Sequence, residues 1–107
     1  FAKYASLYNQ FIENTNDIEK YFWGDIDRGG FEMFLRLKEN IVDELKPMNM
    51  GITEYYNFVK NGLKRDNKYL KNISKLIEND KFSIFKDVIE AIVIEGKTVE
   101  QESFLTN

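Results

Sequence analysis

The apolar positions of this chain change period several times along its 107 residues. Phe1, Tyr4, Leu7, Tyr8, Phe11 and Ile12 recur at helical spacing, and the polar cluster Asn14-Thr15-Asn16-Asp17 then predicts a turn. From Ile18 to Gly24 the pattern is a short aromatic run, Tyr21-Phe22-Trp23, bounded by turn residues. That predicts a strand buried on both faces, as in parallel sheets. After Asp25-Ile26-Asp27-Arg28-Gly29-Gly30 the helical period returns, with Phe31, Phe34, Leu35, Ile41, Val42 and Leu45 on one face. Lys38 falls inside this stripe and has to snorkel out of it. Glu32 and Arg36 stand four apart on the outer face, a spacing worth about 0.2 to 0.5 kcal/mol.

Pro47 is expected to end that helix, and Met48 to Ile52 to form a second strand, with Thr53 capping a helix that begins at Glu54. Residues Asn57 to Glu95 read as helical with breaks at Gly62, Asp66-Asn67 and Asn79-Asp80. The last helix runs from Phe82 to Ile94 and stops at Gly96. Helix alternating with strand points to α/β crossovers, so the expected fold is a small parallel sheet flanked by helices. No internal repeat or low-complexity linker divides the chain, which reads as a single domain, 1–107.

Composition narrows the chemistry. The chain has no cysteine, which removes disulfides, zinc-thiolate sites and thiol nucleophiles, and no histidine, which removes imidazole ligands and histidine general bases. Whatever chemistry it performs rests on carboxylates, lysines, tyrosines or a metal. The net charge of -3 announces neither a nucleic acid nor a membrane partner, so any basic surface has to be local. No apolar run reaches the roughly 20 residues that span a bilayer, and the amino end lacks a signal-peptide pattern; the expected location is cytoplasmic. Because the chain opens at Phe1, with no methionine, directly in a periodic segment, it reads as a fragment of a longer protein, of which the family resemblance below implies the carboxy-terminal part.

Asp25 and Asp27 carry the sharpest chemical signal. Side chains two apart on a strand share a face, with Cα atoms about 6.6 to 7 Å apart, so the pair can converge on one ion or on a pair of ions while Ile26 points away. Carboxylate oxygens completed by water suit Mg²⁺ or Mn²⁺, and open α/β sheets place their ligands beyond the carboxyl ends of strands. A bound cation polarises a phosphoryl oxygen and acidifies water. Gly24, Gly29 and Gly30 then allow a sharp turn and leave room for a bulky substrate, and the helix after Gly30 offers free N–H groups to an anion. Asp-x-Asp beside Gly-Gly is equally the pattern of a turn and helix cap. A haloacid-dehalogenase-like phosphatase also has Asp-x-Asp after an apolar strand, but with threonine where Gly29 stands.

The string Tyr21-Phe22-Trp23-Gly24-Asp25-Ile26-Asp27-Arg28-Gly29-Gly30-Phe31 resembles the Tyr-x-Trp-Gly-Asp-Ile-Asp-x-x-Gly-Phe signature of the nuclease subunit of Wadjet anti-plasmid systems. Val99-Glu100-Gln101-Glu102 is similar to the Leu-Glu-Gln-Glu that closes the same family's carboxy-terminal domain. The resemblance covers at least Tyr21 to Glu102. It implies a Toprim-like (Rossmann-like) fold, a relation to the DNA-cleaving subunit of type VI topoisomerases, and Mg²⁺-dependent (or Mn²⁺-dependent) cleavage of double-stranded plasmid DNA. It implies as partners a condensin-like, SMC-type motor complex and a second copy of the chain, with no membrane. Such sites add a glutamate from an earlier strand, followed shortly by Thr-Phe. If Phe1 is that phenylalanine, the first strand and its glutamate lie upstream, and these 107 residues alone are inactive.

On this resemblance Glu102 is the further metal ligand within the chain, with Glu100 beside it. The alternative is structural: Thr98 and Gln101 fit a capping box with Glu100 in the first helical turn. Lys60, Lys64, Lys68, Lys71 and Lys75 would share one face if Val59 to Ile77 were one helix, opposite Val59, Leu63, Leu70, Ile73 and Ile77. Lys64, Arg65 and Lys68 are the nucleic-acid-binding candidates, each phosphate contact adding about 0.9 to the log-log salt slope. A solvated helix face has the same pattern. The many aromatic residues read as core, with Tyr55 and Tyr56 as the exceptions that could stack on bases. A different class of function, a non-catalytic docking or dimerisation module, fits the same composition.

Overall fold

The computed structural model describes residues 19–104. The expected first helix, the turn after it and Ile18 lie outside the described residues. Strand β1 is Tyr21–Phe22, and its aromatic run is less enclosed than expected: Tyr21 is exposed and Phe22 half-buried. Helix α1, Arg28–Asn40, follows and buries Phe31, Phe34 and Leu37. It ends at Asn40, not at Pro47, where the poor helix formers Asn40, Ile41, Val42 and Asp43 come in succession. Val42 and Leu45 still reach the core, from the returning turn. Lys38 does leave the apolar stripe, and its ammonium donates to the carbonyls of Asp43 at 2.6 Å and Leu45 at 3.4 Å. Glu32 lies 3.5 Å from Arg28, one turn towards the amino end.

The second strand, β2, is Lys46–Pro47 and not Met48 to Ile52. It pairs in parallel with β1, Tyr21 beside Lys46 and Phe22 beside Pro47. The N–H groups of Lys46 and Met48 reach the carbonyls of Lys20 and Phe22, so the proline between them gives up no ladder hydrogen bond. A proline on a sheet edge is tolerated for that reason. Helix α2, Ile52–Phe58, is capped by Gly51, whose N–H donates to the Glu54 side chain; Thr53 lies inside the helix.

The next stretch departs most from expectation. In place of a helix over Val59 to Ile77 there is a 3₁₀ turn at Val59–Asn61, strand β3 at Leu63–Lys64, helix α3 at Asn67–Ser74 and a further 3₁₀ turn at Lys75–Glu78. Gly62 and Asp66 are the breaks, Asp66 capping α3 through the Tyr69 N–H. After a 3₁₀ segment at Asp80–Phe85, helix α4, Lys86–Glu95, buries Val88, Ile89, Ala91 and Ile92. Gly96 stops it in the left-handed conformation, φ 73°, which glycine adopts without a Cβ penalty. Strand β4, Lys97–Thr98, runs antiparallel to β3.

The fold is therefore α/β with a parallel pair, as expected, plus an antiparallel pair that the sequence pattern did not announce. The core joins α1 to the 3₁₀ segment that leads into α4, where Phe85 stacks on Phe31 at 4.5 Å and meets Phe34 edge-on at 5.3 Å, and α4 packs in turn on α3 and α2. Tyr55 belongs to this core, with its hydroxyl donating to the Lys97 carbonyl at 2.7 Å, and is not a base-stacking platform; Tyr56 is exposed. No helix among the described residues is long and apolar enough to cross a membrane.

Candidate metal site

The chain beyond β1 passes Gly24 and enters Asp25-Ile26-Asp27. Ile26 is fully buried and exchanges two hydrogen bonds with Val99, at 2.7 and 3.2 Å. Its neighbours face the other way, and Asp25 and Asp27 both line a cleft of about 460 Å³ together with Trp23, Gly29 and Gln101. The alternation read from the sequence holds, although β1 itself has already ended and Ile26 alone is paired. A groove of about 540 Å³ against α1 and β2 is larger; of its two lining carboxylates, Glu39 and Asp43, Glu39 is engaged by Lys81 at 2.6 Å, and three lysines share the lining.

Asp27 is both cap and site residue. It is the N-cap of α1, in extended conformation, with Oδ1 accepting the Gly30 N–H at 2.7 Å and its carbonyl accepting the Phe31 N–H at 3.1 Å. Its Oδ2 lies 3.9 Å from the Arg65 guanidinium. Burial pushes the Asp27 carboxyl above its ordinary range and the Asp25 charge adds to this, against the Gly30 N–H, Arg65 and Gly29 N–H, which pull it down. Asp25 Oδ1 accepts the backbone N–H of Gln101.

Two expectations change here. The amino end of α1 does not hold a free set of N–H groups, because Arg28 N–H donates to the Tyr69 hydroxyl at 2.9 Å while Gly30 and Phe31 are taken by Asp27. Nor does Gly30 make room for a substrate. A Cβ there would stand 1.9 Å from the Asp25 carbonyl oxygen, so the chain itself fills that space; Gly29 is exposed and open.

Glu100 and Glu102 follow directly on the residue paired with Ile26. The Glu100 carboxyl is raised by its hydrogen bond with Glu102, then by desolvation and by the charges of Glu102 and Asp25, with Arg65 opposing. Thr98 is not a helix cap. It lies in β4, fully buried, and its hydroxyl accepts from Arg65 Nε at 2.8 Å. Among the described residues no three His, Cys, Asp or Glu side chains converge in a set that could hold a metal ion. The Asp25–Asp27 pair is nevertheless a hard-oxygen donor set in a half-buried cleft, where mutual repulsion is relieved by a cation. It fits a divalent ion as a partial set, to be completed by water and a further ligand.

The lysines of the expected stripe are dispersed by the breaks at Gly62 and Asp66. Lys64 lies on β3 and Lys68 on α3, both exposed, whereas Arg65 turns inward with its guanidinium carbon 4.5 Å over the Tyr69 ring. The sequence pattern did not single out Tyr69, and it read Thr98 and Gln101 as a capping box, not as partners of Arg65 and Asp25. Each acts across more than thirty residues of chain, so no local spacing reveals it.

Residues 3–106 match the family described as Wadjet protein JetD, C-terminal. The chain belongs to this JetD family. The Wadjet protein JetD of Bacillus cereus (strain Q1) is 32% identical over 99 residues, which cover 92% of this chain but 24% of that relative. The chain thus spans about a quarter of the length of the JetD protein it matches. No solved structure matches it. The motif around Asp25 and Asp27 and the Glu100-Gln101-Glu102 segment both fall inside the matched region.

Proposed function

We propose that this domain supplies the metal-binding part of a DNA endonuclease in a Wadjet defence system, with Asp25 and Asp27 holding Mg²⁺ or Mn²⁺ and Glu102 as a further ligand. The observation that carries the reading is the pair itself: two aspartates on one side of a buried isoleucine, lining one cleft, in a chain of the JetD family. When bound, the ion would polarise a phosphodiester oxygen and acidify water. The protein's own part is to hold the two carboxylates at fixed positions through the Gly30 and Gln101 N–H groups.

On this reading the fold is Toprim-like, the substrate is double-stranded plasmid DNA, and the domain works in a longer protein beside an SMC-type motor and a second copy of itself. A glutamate from upstream completes the ligand set. Lys64 and Lys68 contribute through phosphate contacts, whereas Arg65 belongs to the carboxylate cleft. The test uses the complete protein with its Wadjet partners. Asp25→Ala is expected to abolish Mg²⁺-dependent nicking of closed-circular plasmid while leaving the protein folded by circular dichroism. Undiminished nicking by that variant overturns the reading.

A further inference from the structure

The two aspartates are not equivalent. Each oxygen of Asp27 already has a partner, Oδ1 the Gly30 N–H at 2.7 Å and Oδ2 the Arg65 guanidinium at 3.9 Å. Asp25 has its Oδ1 engaged by the Gln101 N–H, and Oδ2 has no hydrogen-bond or ion-pair partner among the described residues.

Arg65 is also no passing surface side chain. Its Nε donates to the buried Thr98 hydroxyl at 2.8 Å, its guanidinium lies over the Tyr69 ring at 4.5 Å, and its backbone N–H is fixed to the Gly96 carbonyl at 2.9 Å. Its anchors are themselves fixed: Thr98 by the β3–β4 ladder, and Tyr69 by the Arg28 N–H on its hydroxyl. One positive charge is thereby held beside Asp27 by residues from several parts of the fold.

A guanidinium and a divalent ion repel, and both cannot approach the same oxygen. Carboxylate oxygens have two lone pairs each, so Asp27 can still lend one to an ion shared with Asp25, but its Oδ2 side is closed to another. Resting on the metal reading above, we infer that Arg65 is a positioning residue that takes the place of a second cation, so that the cleft binds one divalent ion on the Asp25 side. The lysine stripe from which sequence alone assigned Arg65 to DNA has no part in this.

Mn²⁺ binding to the complete protein, followed by calorimetry and by the electron paramagnetic resonance of free Mn²⁺, tests this without reference to activity. Ions are assigned to the cleft by their loss in an Asp25→Asn, Asp27→Asn double variant. The wild type is expected to bind one such ion. Arg65→Gln, which keeps an N–H for Thr98 but loses the charge, is expected to gain a second, weaker one, and Arg65→Lys to return to one. Two cleft ions in the wild type, or one in a folded Arg65→Gln protein, overturn the role of Arg65 and leave the metal reading intact. No ion lost in the double variant overturns both.

Discussion

At the scale of the residue, Asp27 couples stability to the site. Its carboxyl is raised chiefly by burial, so the folded state holds its proton more tightly than the unfolded chain, whose ordinary value is 3.8. A raised carboxyl gives stability that is complete below the unfolded value and is lost as pH climbs through the folded one. Asparagine caps helices as well as aspartate does, and it has no charge to desolvate. With divalent ions chelated, Asp27→Asn should therefore unfold at higher urea than the wild type at pH 7, the difference closing towards pH 3. Asp27→Ala, which loses the cap, should be less stable by about 1 kcal/mol. Gly30 offers a second contrast. Alanine there would collide with the Asp25 carbonyl and is expected to cost about 1–3 kcal/mol or more. At Gly29, where the nearest side-chain or backbone atom to a new Cβ is 3.6 Å away, alanine should change stability little. Equilibrium urea denaturation distinguishes the two.

Among the elements, α1 depends on a partner outside itself. Its first N–H is accepted by Tyr69 of α3, forty-one residues later, so the helix start is fixed by tertiary contact as well as by Asp27. Removing the hydroxyl in Tyr69→Phe should cost about 1 kcal/mol. Amide exchange should accelerate in the first turn of α1 more than in α4. Elements with local causes were legible in the sequence: the Asp27 turn, α1 from its period, and the stop at Gly96. What failed has physical reasons. The sequence spacing of Lys60 to Lys75 fits a helix, but Gly62 and Asp66 each break it, and between them Leu63 and Lys64 pair with a strand thirty-odd residues away. Thr98 looked like a cap because its neighbours fit a local motif, yet the half-buried Arg65 guanidinium holds it instead. Asp25 and Asp27 were legible as a pair because alternation about Ile26 is local; their partners Gln101 and Arg65 are not.

For the molecule as a whole, the β3–β4 pair and the Ile26–Val99 bridge after it deliver Gln101 to the cleft. Gln101→Pro probes that delivery at one atom. Position 101 opens a 3₁₀ turn, where proline is tolerated, and its N–H serves Asp25. The variant should keep its helical circular dichroism, lose about 1.5–3 kcal/mol of stability for a charge-accepting hydrogen bond, and bind Mn²⁺ more weakly. A melting curve and a titration on the same sample check both.

The bond between Asp25 and Gln101 spans seventy-six residues, and the Ile26–Val99 bridge closes nearly the same loop. Contacts of such separation form late in folding, since loop-closure entropy has to be met first. On a ribosome, the aspartates emerge long before the backbone that orients one of them. A nascent chain therefore carries the acidic motif without its finished surroundings, and the order of synthesis itself delays the moment at which the cleft is complete.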